Sequence, residues 1–106
     1  MEDNRSKKFI FVPFCLMAQA YQAQGIVKYE HKATIKPIMR LLIENDINII
    51  QMPCAESMSQ EGLIRLPKGI TKYDTKEFNK LCEDLALQTF NSIQRIIESK
   101  YEVIAV

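Results

Sequence analysis

Lys8-Phe-Ile-Phe-Val-Pro-Phe14 is the stretch on which the fold turns. Its β-branched and aromatic residues run without a break, which reads as a strand buried on both faces rather than one face of a half-exposed sheet. Pro13 has no amide hydrogen to give to a ladder and closes the strand. Cys15 is thereby placed at or just past the carboxyl end. The pattern returns at Ile47-Asn-Ile-Ile-Gln-Met52, a short Ile-rich run ended by Pro53 and followed by Cys54. A third run of β character, Tyr101-Glu-Val-Ile-Ala-Val106, comes last.

Between these runs the apolar period changes from strand to helix. Ile35, Ile38, Met39 and Leu42 fall at i, i+3, i+4 and i+7, with Thr34 as the predicted N-cap, Pro37 inside the first turn and Asn45 as the stop. Asp74 followed by Glu77 predicts a capping box that opens a longer helix. Its apolar face is Phe78, Leu81, Cys82, Leu85, Phe90, Ile93 and Ile97. Residues 16–33 read as mostly irregular, and residues 55–73, with Gly62, Pro67 and Gly69, as a long loop. The order strand, helix, strand, helix, strand predicts an α/β fold. It is a three-layer architecture in which a parallel sheet of at least three strands carries right-handed crossover helices, half-Rossmann or flavodoxin-like. Ligands of such sheets bind beyond the carboxyl ends of the strands, where Cys15 and Cys54 both fall.

A chain of 106 residues suits a single domain, 1–106, since one core takes roughly 100 to 150 residues. Hydrophobic residues make up 47% and charged residues 25%, so a packed core is expected and wholesale disorder is not. Fourteen Lys and Arg against thirteen Asp and Glu leave a net charge of +1, with no electrostatic case for nucleic acid or an anionic membrane. No run approaches the roughly 20 apolar residues of a membrane span, and Pro13 interrupts the N-terminal apolar run well short of a secretory signal. Three cysteines at wide spacing, with no Cys-x-x-Cys, indicate neither a disulfide framework nor a zinc knuckle. A reducing, cytoplasmic compartment is expected.

Cys82, in register with Leu81 and Leu85, is expected to pack as a small hydrophobe. Cys15 and Cys54 are better placed for chemistry: two thiols at neighbouring strand ends suit a soft metal, an iron–sulfur cluster, a cycling disulfide, or nothing. Glu56 shares a loop with Cys54 and suits a general acid or base. Arg65, flanked by apolar residues, either meets an anion or snorkels from a covered loop. His31 stands alone and reads as a surface residue, and the glycines make no phosphate-binding motif.

Two segments carry a resemblance. Pro13-Phe-Cys-Leu-Met-Ala-Gln-Ala-Tyr21 and Gln51-Met-Pro-Cys-Ala-Glu-Ser57, the latter followed by Glu61-Gly-Leu-Ile-Arg65, look like the 2-thiouracil desulfurase-related family of desulfidases. The resemblance implies a [4Fe-4S] cluster held by three cysteines, of which Cys15 and Cys54 match the first two. Glu56 matches the acidic residue beside the second and is the candidate catalytic acid or base, and Arg65 and Gln19 are the candidate substrate-binding residues. The implied activity is hydrolytic removal of sulfur from a thiolated small molecule at an iron that lacks a protein ligand. The third cysteine of the family follows the third strand in a Ser-Pro-Ser-Cys type loop. This sequence ends at Val106 within that strand, so it reads as truncated relative to the family. Two other readings stand beside this one: a small non-enzymatic module whose strand edge pairs with a second copy as a homodimer, and a thiol redox protein using Cys15 and Cys54.

Overall fold

The computed structural model describes residues 3–67 and 73–106. Residues 68–72 of the predicted long loop, Gly69 among them, lie outside the described residues. The chain is α/β, as its pattern predicts. Strand β1 (Lys8–Pro13) leads into a short helix α1 (Phe14–Met17), then helix α2 (Lys36–Glu44), strand β2 (Asn48–Met52), helix α3 (Lys76–Glu98) and strand β3 (Glu102–Ala105). The sheet is entirely parallel in the order β2-β1-β3.

The unbroken apolar run became the central strand, which has neighbours on both edges and helices over both faces. Phe11 and Val12 are 3% and 5% exposed. Alternate side chains point to opposite faces. Ile10 and Val12 meet Met39 and Leu42 of α2, with Leu16, Met17, Ile47 and Ile49 packed around them. Phe9 and Phe11 face the other way, toward Ile96 and Ser92 of α3 across a cavity of about 300 Å³. The two crossover helices therefore cover opposite faces: α2 links β1 to β2 in one direction across the sheet, and α3 links β2 to β3 in the other.

Both helices end by the same local device. Ile47 N–H donates to the Leu42 carbonyl and Asp46 N–H to that of Ile43; Tyr101 N–H and Lys100 N–H repeat this on Ile96 and Ile97. These are Schellman closures, and they require a left-handed residue just past the cap. Asp46 (φ 54°) and Lys100 (φ 66°) take that role without glycine. Each closure turns the chain directly into a strand, so Asn45 caps α2 where the sequence predicts its stop.

Two predicted helix starts shift. Thr34 is not the cap of α2: the N-cap is Ile35, and the Thr34 hydroxyl instead donates to the Met17 carbonyl at 3.0 Å. A partner 17 residues away has taken a hydroxyl that local spacing assigned to its own helix. At α3 the cap is Thr75 rather than Asp74, its Oγ1 accepting from Phe78 N–H at 3.1 Å. Thr75→Ala is expected to cost about 1 kcal/mol, read in thermal unfolding as a midpoint lower by about 4–8 °C. An unchanged midpoint would show that this cap contributes nothing.

Candidate functional site

β1 and β2 run in register from Phe9 opposite Asn48 to Pro13 opposite Met52, so the two strands finish level. Cys15 and Cys54 each lie two residues past that last pair. Pro13 and Pro53 end the ladders, and the cysteines come out on the same rim. Both are half-buried and neither forms a disulfide.

The backbone around each thiol is held by side-chain donors. Gln19 Nε2 donates to the Cys15 carbonyl at 2.5 Å, and Gln51 Nε2, from the end of β2, donates to the Phe14 carbonyl at 3.0 Å. The Ser57 hydroxyl donates to the Cys54 carbonyl at 2.7 Å. The segment after α1 is pinned in turn by Gln19 N–H on Ala33 O (2.6 Å) and Ile35 N–H on Leu16 O (3.0 Å). Buried carbonyls left without donors are costly, so these contacts fix where each thiol sits.

The rim opens on a groove of about 510 Å³. One wall is Pro13, Phe14, Cys15 and Met52 to Ala55; the other is a stripe of α3 comprising Cys82, Leu85, Ala86, Thr89, Phe90 and Ile93. None of these residues carries a charge, and Thr89 contributes the one hydroxyl. The resolved ionisation shifts lie elsewhere, on the surface. Hydrogen bonds from Arg5 hold the Asp3 carboxyl below its usual range, and the hydrogen bond to Asp84 raises the Lys80 ammonium.

Cys82 does not pack inside the core as its helical register predicts. It is exposed and faces the groove, because no described residue of α3 is buried and the helix stands off the strand ends. All three cysteines of the chain thus line one hollow. Cys82, Leu85, Phe90 and Ile93 belong to the apolar face read from the sequence, and the structure adds Ala86 and Thr89 to the stripe that meets the groove.

Among the described residues Gln19 and Arg65 are the buried polar side chains, 6% and 3% exposed, and neither lines the groove. Gln19 contributes through the Cys15 carbonyl. Arg65 points at its own chain: Nη2 donates to Tyr21 O at 2.6 Å, Nη1 to Gly62 O at 3.2 Å, and Nε lies 3.6 Å from Glu56 Oε2. Glu56 opens the single turn Glu56–Met58 beyond Cys54, with its side chain 52% exposed and outside the groove lining. His31, read as a surface residue, has its Nδ1 buried without a hydrogen-bond partner.

Among the described residues no three His, Cys, Asp or Glu side chains converge as a metal-holding group. A cluster with three protein thiolates is therefore not matched by this set: Cys15 and Cys54 are two suitable donors, and Cys82 does not complete them. Among the described residues no helix is long and apolar enough to cross a membrane.

No family model matches the chain, and no solved structure matches it. The chain is similar to an uncharacterized protein of Methanocaldococcus jannaschii, 26% identical over 102 residues that cover 96% of this chain and 64% of that protein. The chain thus spans less than two thirds of that relative's length.

Proposed function

We propose that the groove is the substrate crevice of a desulfidase-type domain, acting on a small thiolated molecule of the thiouracil kind. The observation that carries this reading is the delivery of two half-buried thiols, by neighbouring parallel strands, to one uncharged groove. A thiocarbonyl compound has an apolar planar body and a soft, polarizable sulfur. The α3 stripe suits the first, and thiol sulfur suits the second. The overall change is hydrolysis: the oxygen of water replaces sulfur at carbon, hydrogen sulfide leaves, and no electrons are exchanged.

The two strand-end thiolates are fewer than a [4Fe-4S] cluster with one open iron needs, so the chemistry assigned to this chain is that of its own groups. The groove holds the substrate body away from bulk water, which strengthens polar interactions at the rim. Cys15 and Cys54 meet the thiocarbonyl sulfur. Glu56, one turn beyond Cys54, half-exposed and outside the groove lining, relays the proton between bulk water and the departing sulfur through a bridging water.

The test is incubation with 2-thiouracil, untreated and after anaerobic iron and sulfide loading, with hydrogen sulfide and uracil quantified. Release of both in equal amounts is expected, and Ala86→Trp, which fills the groove from the α3 side, should suppress it at least tenfold. Absence of sulfide in both arms, or release indifferent to Ala86→Trp, would overturn the reading.

A further inference from the structure

We propose that Arg65 is a positioning residue: one buried guanidinium that couples the Cys15 loop to the Cys54 loop and so sets both thiols at once. Its side chain is 3% exposed, a placement that arginine takes only with partners. Its three nitrogens face three separate segments. Nη2 donates to the Tyr21 carbonyl, and the Tyr21 ring lies 4.3 Å from that of Phe14, next to Cys15. Nε is buried, makes no hydrogen bond, and meets the Glu56 carboxylate as an ion pair at 3.6 Å, on the turn whose Ser57 holds the Cys54 carbonyl. Nη1 donates to Gly62 O and anchors the arginine's own turn. The backbone repeats the link, since Gln24 N–H donates to the Arg65 carbonyl at 2.8 Å.

These contacts replace the anion-binding role that the flanking apolar residues allowed. A guanidinium directed at two carbonyls and one carboxylate of its own chain is a rigid fork that lysine cannot reproduce. Removing it leaves the Tyr21 carbonyl without its donor, leaves the Gly62 carbonyl only the Arg65 backbone N–H, and frees the Glu56 turn. Both thiol loops should then open together, although they lie 39 residues apart in sequence, from 15 to 54.

The experiment is pulsed alkylation of the whole chain with iodoacetamide, quantified at each cysteine by mass spectrometry. Cys15 and Cys54 are half-buried and react through local opening; Cys82 is exposed and serves as the internal reference. Arg65→Met is expected to raise the rates at Cys15 and Cys54 together by about tenfold or more, with Cys82 unchanged. Arg65→Lys should give a smaller rise at both, since an ammonium reaches one carbonyl rather than two. If Arg65→Met does not fold, Arg65→Lys decides by the same criterion. Glu56→Gln, at a half-exposed position, removes only the ionic arm and should raise Cys54 alone. A rise confined to one loop in the Arg65 variants, or a parallel rise at Cys82, would overturn the coupling. The inference takes the groove proposed above as the working site, yet the labelling uses no thiolated ligand. Failure of sulfide release and failure of coupling are therefore separate results.

Discussion

Cys54→Ala and Cys15→Ala are each expected to lower hydrogen sulfide release from 2-thiouracil by about 100-fold or more, while Cys82→Ala changes it by about threefold or less. The asymmetry follows from position. Cys15 and Cys54 are half-buried at the level ends of β1 and β2, their carbonyls held by Gln19 and Ser57. A reacting group must be held to within a fraction of an ångström, and these contacts supply that constraint. Cys82 comes from the opposite wall, on a helix with no buried residue, and serves the substrate's body more than its sulfur. Colorimetric sulfide determination over a range of substrate concentrations separates the two effects. Loss at the strand-end cysteines should fall on kcat, and the small loss at Cys82 on KM. Equal effects at all three positions would mean that the groove acts only as an apolar container.

Phe11→Ala should be the most damaging single change to the fold. Phe11 is 3% exposed on the central strand, paired with Ile50 and facing α3. Truncating a buried phenylalanine costs about 3–5 kcal/mol through lost burial and the cavity left behind. A domain of this size has about 5–15 kcal/mol in all. The core here is small, with Phe11, Val12, Ala23, Met39 and Leu42 as the buried apolar residues among those described, so the lower end of that range applies and the variant should be largely unfolded. Urea titration followed by circular dichroism is the check, with Phe90→Ala as the control. Phe90 is 53% exposed over the groove, and its loss should leave the midpoint close to that of the parent chain. Similar midpoints for the two variants would show that burial in the central strand does not govern stability.

Much of the architecture was legible before any tertiary contact was known. Strand and helix periods depend on neighbours a few residues apart, and β1, α2, β2, α3 and β3 all lie where the runs at Phe9, Ile35, Ile47, Phe78 and Val103 put them. The prolines at 13 and 53 act locally too, so the two strand ends and the cysteines just past them follow from the sequence, while the register that makes the ends level is set by strand pairing. Helix caps were less secure, because a hydroxyl takes whichever partner the fold offers. Thr34 turned to Met17, and Thr75 rather than Asp74 capped α3.

By itself, then, the sequence determined the three strands, the two long helices and the two thiols at the strand ends, because each follows from spacing within one segment; the parallel sheet followed from their alternation along the chain, while the short helix α1 and the strand order β2-β1-β3 were left to tertiary contacts. Tertiary structure alone decided where Cys82 and Arg65 belong. Cys82 sits on an apolar helical stripe whether that stripe meets the core or a groove, and the choice was made by α3 crossing the sheet on the face opposite α2. Arg65 is an arginine among apolar neighbours in either of its readings. Its partners Tyr21 and Glu56 are 44 and 9 residues away, and only the folding of two loops onto each other turns it from an anion ligand into a clamp.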